Sequence, residues 1–187
     1  MEPSKYNLVR REIHMIIKMT QCHMKDFNKP NEPLVVFGRI IPALENNVWS
    51  YTEERFSKPY VKKYEDEDID VSYAEEEGKA VFLYYADNNC IGRIKIRAHW
   101  NGYALIEDIA VAKDYRKNGV GTALLNRAME WAKENDCCGL MLETQDINVS
   151  ACHFYAKHGF VIGAVDTMLY SNFSTANEIA IFWYCKF

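Results

Sequence analysis

The run from Ile106 to Trp131, I-E-D-I-A-V-A-K-D-Y-R-K-N-G-V-G-T-A-L-L-N-R-A-M-E-W, leaves this chain few folds to choose from. Tyr103, Leu105, Glu107, Ile109 and Val111 alternate with Ala104, Ile106, Asp108 and Ala110, which predicts a mostly buried strand. Gly119 and Gly121 then allow a tight turn that larger residues resist. Thr122, Ala123, Leu124, Leu125, Ala128, Met129, Trp131 and Ala132 follow at helical spacing, with Asn126, Arg127, Glu130 and Lys133 outward. A helix start carries unsatisfied N–H groups and partial positive charge. Glycines there let a phosphate approach bare backbone. Strand, glycine turn and helix together predict an anion cradle.

Three phosphate loops compete for this stretch. A kinase-type loop needs G-x-x-x-x-G-K-[ST], and the chain has no such run. A dinucleotide fingerprint needs a third glycine where Leu124 stands, inside a repeated βαβ pattern that is missing. The third pattern, R-x-x-G-x-G, is matched by Arg116, Gly119 and Gly121. On these residues the chain resembles the GNAT acetyltransferases, whose signature [Q/R]-x-x-G-x-[G/A] lies between a strand and a helix. The resemblance extends to Asn148, Ala151, Phe154, Tyr155, Gly159 and Phe160, which fit N-x-x-A-x-x-[F/L]-Y-x-x-x-G-F. The runs I-E-D-I-A-V, G-L-M-L-E-T-Q-D, V-D-T-M-L-Y and F-W-Y resemble one GNAT branch, the streptothricin acetyltransferases, over about residues 15 to 187.

The resemblance implies a mixed α/β sheet, mostly antiparallel, with splayed central strands flanked by helices, in one domain covering residues 1–187. It also implies an acetyl-coenzyme A cosubstrate. The pyrophosphate would rest on the backbone from Arg116 through Lys117, Asn118, Gly119, Val120 and Gly121 to Thr122, with the Arg116 and Lys117 side chains adding charge pairing. Ile109, Ala110 and Val111 would bind the pantetheine arm as an added strand, with an N–H near Val111 facing the thioester oxygen. Losing such a donor typically costs about 3 kcal/mol in barrier. Asn148 and Ala151 belong to the family's cofactor-binding helix; Asn148 is equally suited to be a helix N-cap, and both roles are compatible.

The implied reaction is transfer of an acetyl group to an amine. An ammonium has a pKa near ~10 in water, so it must lose a proton first. Glu107 is the first choice to orient and deprotonate it, on the expectation that it shares a strand face with Ile109 and Val111. Asp108 is the second choice, because strict alternation sends it to the opposite face. Tyr155, the family's helix tyrosine, would protonate the leaving thiolate, since a phenol is protonated at neutral pH. His153 and His158 are expected as solvated helix residues. No His, Cys and Asp set has metal-ligand spacing, so no metal is expected.

Charge patterning bears on the acceptor. The chain of 187 residues carries a net charge of −4, which makes no case for nucleic acid. Residues 65 to 77 hold Glu65, Asp66, Glu67, Asp68, Asp70, Glu75, Glu76 and Glu77, with no base. A small cationic amine is the partner such a segment would attract, with Tyr64, Glu65 and Asp66 at its start as contacts. Tyr60, Tyr64, Tyr73 and Trp49 offer faces for cation–π contact. A solvated surface segment fits the same composition. Streptothricins carry several ammonium groups on a β-lysine chain, which the family acetylates. A lysine-peptide or polyamine acetyltransferase, and a silent acyl-coenzyme A-binding module, stay open beside it.

Other bounds are simpler. No apolar run approaches the roughly 18 residues of a membrane span, and the N-terminal stretch lacks a signal peptide's apolar core, so a cytoplasmic protein away from membranes is expected. Six cysteines without a C-x-x-C pair read as reduced thiols. Monomer and homodimer are both compatible with the sequence.

The remaining elements follow from pattern. Residues 1 to 10 read as a loose lead-in. A strand is expected between Glu12 and Thr20, a short helix from Thr20 to Asn28, and a strand from Leu34 to Ile41 ending at Pro42. Asn46-Asn47 marks a turn leading to a hairpin partner over Trp49 to Phe56. Ala80 to Tyr85 and Cys90 to Ala98 read as strands joined by a turn at 87–89, and Asn101-Gly102 as a hairpin turn. A buried strand opens at Gly139, a helix spans Asn148 to His158, and Phe160 to Tyr170 pairs with Glu178 to Phe187.

Overall fold

The computed structural model describes residues 13–187; the expected lead-in over residues 1 to 10 lies outside the described residues. Among the described residues nine strands form two sheets. The first is β1 (His14–Lys18), β4 (Lys79–Ala86), β5 (Asn89–Ala98), β6 (Ala104–Val111), β7 (Gly139–Gln145), β8 (Val161–Asp166) and β9 (Ala180–Lys186), in the order β1-β4-β5-β6-β7-β9-β8. Every neighbouring pair is antiparallel except β6 and β7. The second sheet is a hairpin of β2 (Leu34–Glu45) and β3 (Val48–Lys62). Three helices complete the fold: α1 (Ser72–Glu75), α2 (Val120–Glu134) and α3 (Val149–Lys157). The mixed, mostly antiparallel architecture matches the expected class.

The hairpin is longer than the sequence pattern predicts. Asn46 and Asn47 both take positive φ, as a two-residue hairpin turn requires. Pro42 does not end β2: it pairs with Tyr51 and the strand runs on to Glu45. A two-stranded sheet leaves each strand one open edge, where a missing N–H costs no ladder bond. At the other end of the chain β8 stops at Asp166, four residues short of Tyr170. The Asp166 carboxylate accepts from the amides of Met168 and Leu169, at 2.7 and 3.0 Å, and turns the chain out of the strand.

Two apolar clusters cover the two faces of the large sheet. On one face Phe82, Ile94, Ile96 and Ile106 meet Leu124, Leu125, Ala128 and Trp131 of α2, Cys152 and Tyr155 of α3, and Ile40 of the hairpin. On the other, Val81, Leu83 and Tyr85 meet Met19, Phe27, Ile69 and Tyr73. Phe27 follows a short 3-10 helix, Gln21–Asp26, where a short helix was expected. The acidic segment is therefore ordered: Ile69 and Tyr73 anchor it in the second cluster, and Glu67 pairs with Lys95.

Candidate active site

The sheet opens at its centre. β6 and β7 pair only through Ala104–Ile106 and Leu140–Leu142. Beyond that point β6 continues to Val111 and β7 to Gln145 without a ladder between them. The strand predicted to be mostly buried is accordingly buried at Ala104 and Ile106 and exposed or half-buried from Glu107 onward. The backbone of Glu107–Val111 thus presents an edge that can take an added extended chain.

A β-bulge sits at the head of this opening. Lys95 pairs with Asp108, but its neighbour Ile96 pairs with Ile106, so Glu107 is an extra residue. An extra residue resets alternation downstream. This corrects two expectations. Glu107 does not share a face with Ile109 and Val111, which pack toward α2. Asp108 is not opposite Glu107: both carboxylates lie on the face of Arg93, Lys95 and Arg97.

Those three cations of β5 organise the acids. Glu107 accepts from Arg97 Nε at 2.7 Å and from the Tyr73 hydroxyl, with Lys95 Nζ at 3.9 Å. Both its oxygens are engaged. Asp108 Oδ2 accepts from Arg93 Nε at 2.6 Å, and Arg93, 4 % exposed, also donates to the Phe27 carbonyl. The aromatic faces offered for cation–π contact are partly occupied from within. Tyr73 faces Lys95 at 4.6 Å, Tyr64 faces Lys62 at 5.2 Å, and Trp49 packs against the first apolar cluster. Glu65 is exposed, and Asp66 is bound by Asn31 Nδ2 at 2.6 Å.

The glycine turn has the geometry of a cradle. Lys117 and Gly119 take positive φ, 65° and 86°. The first helical hydrogen bond runs from Ala123 N to Gly119 O, and no side chain caps the helix. The amides of Val120, Gly121 and Thr122 therefore precede the intrahelical ladder. A Cβ at Gly119 would meet nothing within 4 Å, so the space above the loop is open. At Gly121 a Cβ would come within 3.3 Å of the Phe154 ring, so α3 packs closely on the turn there. These features fit a pyrophosphate.

Arg116 departs from its expected part. Its guanidinium donates to the carbonyls of Val111 (2.8 Å), Pro33 (3.1 Å) and Glu32 (3.3 Å), and its amide donates to Lys113 O. Five N–H donors on one planar group suit such cross-bracing. Arg116 fixes the loop to β6 and to the approach of β2 in place of reaching for phosphate. His158 is also not a solvated helix residue: it closes α3, with Nε2 3.0 Å from Thr122 Oγ1 and Nδ1 2.7 Å from Phe154 O. His153 is exposed and lies 3.2 Å from Glu53. Asn148 caps α3 by accepting from Ala151 N at 3.3 Å.

Tyr155 is 5 % exposed among Phe154, Phe160 and Trp183. Burial holds its hydroxyl well above the usual phenol range, and the Asp108 carboxylate is the next cause, followed by weaker contributions that include Tyr64 and Glu143. On the β7 lip a directed chain of hydrogen bonds emerges that the sequence reading missed. Tyr64 Oη donates to Gln145 Oε1 at 2.6 Å, Gln145 Nε2 donates to Tyr170 Oη at 3.1 Å, and Tyr170 donates to Glu143. The alternation L-E-T-Q in β7 put Glu143 and Gln145 on one face; nothing local signalled Tyr170. Among the described residues no cluster of His, Cys, Asp or Glu has a metal-holding arrangement.

Comparison with known proteins agrees with this geometry. The Acetyltransferase (GNAT) family profile matches residues 42–160, more than half of the chain. The chain belongs to the GNAT acetyltransferase family. Streptothricin acetyltransferase A of Bacillus subtilis is 83 % identical over 173 residues, covering 92 % of this chain and 100 % of that protein. The Escherichia coli streptothricin acetyltransferase is 37 % identical over 70 % of this chain and 72 % of its own length. A crystal structure described as a putative streptothricin acetyltransferase from Bacillus anthracis in complex with acetyl coenzyme A superimposes with a TM-score of 0.85, at 36 % identity and covering 94 % of this chain and 98 % of that one. As a member of this family the chain is an N-acetyltransferase.

Proposed function

We propose that this GNAT enzyme transfers the acetyl group of acetyl-coenzyme A to an amine on the β-lysine chain of streptothricin and so inactivates the antibiotic. The observation that carries the reading is 83 % identity across the whole of a streptothricin acetyltransferase. Acetyl-coenzyme A supplies an activated thioester. The amides of Lys117 through Thr122 would hold its pyrophosphate, and the backbone of Ile109, Ala110 and Val111 its pantetheine arm, with Asn148 and Ala151 at the start of α3 close by. The Val111 N–H would donate to the thioester oxygen as charge builds there.

The acceptor approaches from the opposite face, where the two carboxylates lie. Glu107 is fully engaged by Arg97, Tyr73 and Lys95, so its role is to hold that lip rigid. Asp108, bonded to Arg93 Nε through Oδ2 alone, takes the ammonium proton, directly or through water. The neutral amine attacks the carbonyl carbon, the carbon–sulfur bond breaks, and Tyr155 gives its proton to the departing sulfur. A nearby carboxylate makes a phenol a weaker acid. An arriving ammonium offsets that charge, so Tyr155 gains acidity once the acceptor is seated.

Thiol release measured in parallel with streptothricin, spermidine and a lysine peptide tests the acceptor. Streptothricin is expected to give the highest kcat/KM by at least tenfold, with mass spectrometry showing one added acetyl group. A preference for the peptide, or no release with any amine, would replace this reading with one of the two alternatives.

A further inference from the structure

Glu143 stands on the β7 lip, across the opening from Asp108. It is half-buried and accepts a hydrogen bond from the Tyr170 hydroxyl, a neutral donor. Among the described residues no cation lies within ion-pair distance of it. Lys62, a cation whose charge reaches it, is committed to both oxygens of Glu178, at 2.7 Å each. The contrast with the β6 lip is sharp, since Arg93, Lys95 and Arg97 neutralise the acids there. Every donor in the chain from Tyr64 through Gln145 and Tyr170 points toward Glu143, which fixes the carboxylate in place and favours its charged form. Burial raises the carboxyl above its ordinary range, a cost that a bound cation would offset.

We infer that Glu143, oriented by Tyr170, is the seat for a second ammonium group of the acceptor, the one that is not acetylated. This rests on the cationic acceptor proposed above. The reacting amine lies at Asp108, while its companion spans the opening to Glu143. Recognition of two charges at a fixed separation favours a diamine over a monoamine of equal size, because a partly desolvated charge pair is worth far more than a surface one. Glu143 is thus a specificity residue for the acceptor and takes no proton in the transfer.

Two measurements on the full chain test this. First, calorimetry on protein loaded with coenzyme A compares a four-carbon diamine with the four-carbon monoamine. The diamine is expected to bind at least tenfold tighter, and Glu143→Gln to abolish the difference. Second, steady-state thiol release with streptothricin is expected to show KM raised ten- to hundredfold in Glu143→Gln, with kcat within threefold and coenzyme A affinity unchanged. Tyr170→Phe removes the hydrogen bond but keeps the charge, so it should retain most of the diamine preference. A diamine preference that is absent in the native protein, or that survives Glu143→Gln, overturns the inference. So does a fall in kcat at constant KM, or an equal loss in Glu143→Gln and Tyr170→Phe, which marks a structural role. Failure of streptothricin itself as an acceptor refutes the reading under Proposed function instead, and leaves the calorimetric comparison standing.

Discussion

The two faces of β6 make an instructive contrast. Toward α2, Ile106, Ile109 and Val111 pack on an apolar helix, and the strand leads straight into the glycine turn. Toward the other face, Glu107 and Asp108 meet a row of cations on β5. A regular strand would separate Glu107 and Asp108. The bulge puts both on one side, and beyond Ile106 the strand has no ladder to β7. In the reaction proposed above, the donor takes that free backbone edge and the acceptor meets two carboxylates on the opposite face. The lesson is that backbone register decides which groups each face of the strand presents.

Substitutions can break that contrast at different points. Tyr155→Phe acts where the two sides meet and has the largest expected effect. Loss of a general acid typically costs 10²–10⁴-fold, so kcat should fall by about that much while coenzyme A affinity measured by calorimetry stays within twofold. Asp108→Asn comes next, with kcat lowered by about 10- to 100-fold and KM for acetyl-coenzyme A little changed. Glu107→Gln sharpens the comparison between the acids: it should leave kcat within fivefold and lower the melting temperature, because Arg97 and Lys95 lose a charged partner. If Glu107→Gln were the more damaging of the two for kcat, their roles would be exchanged.

On the donor side the expected effects are smaller. Gly119→Ala forces a side chain into left-handed backbone at φ 86°, a strain of about 1–2 kcal/mol. Acetyl-coenzyme A should bind up to tenfold more weakly as the loop relaxes away, with KM for the amine unchanged. Tyr73→Phe is the mildest. It removes one hydrogen bond to the already braced Glu107, and kcat should stay within twofold in steady-state assays while the protein loses about 1–2 kcal/mol of stability in urea melts.

The glycine turn and the two long helices were legible in the sequence because their signals are local. Gly119 and Gly121 mark the turn and Asn148 the cap, and each element lies where the pattern put it. The acceptor side was less legible, because it is built from contacts distant in sequence. The bulge at Glu107 follows from how β5 pairs, which no period in β6 reveals. Arg116 looked like a phosphate ligand until its partners, Glu32 and Pro33, were brought beside it by the hairpin. The chain Tyr64–Gln145–Tyr170–Glu143 draws on a strand end, a core strand and a loop more than 100 residues apart along the chain at its extremes. The acidic segment read equally well as a solvated surface; Tyr73 and Ile69 tie it down, and two single apolar residues carry too little pattern to show it.

The central claim is that the released edge of β6 and the glycine turn together grip the acyl donor. Amide hydrogen exchange, followed with and without acetyl-coenzyme A, tests it most directly. The account predicts strong slowing at residues 109–111 and 117–122, and little change in β8 and β9. Unchanged exchange in both segments at saturating acetyl-coenzyme A, or protection confined to another part of the sheet, would contradict it.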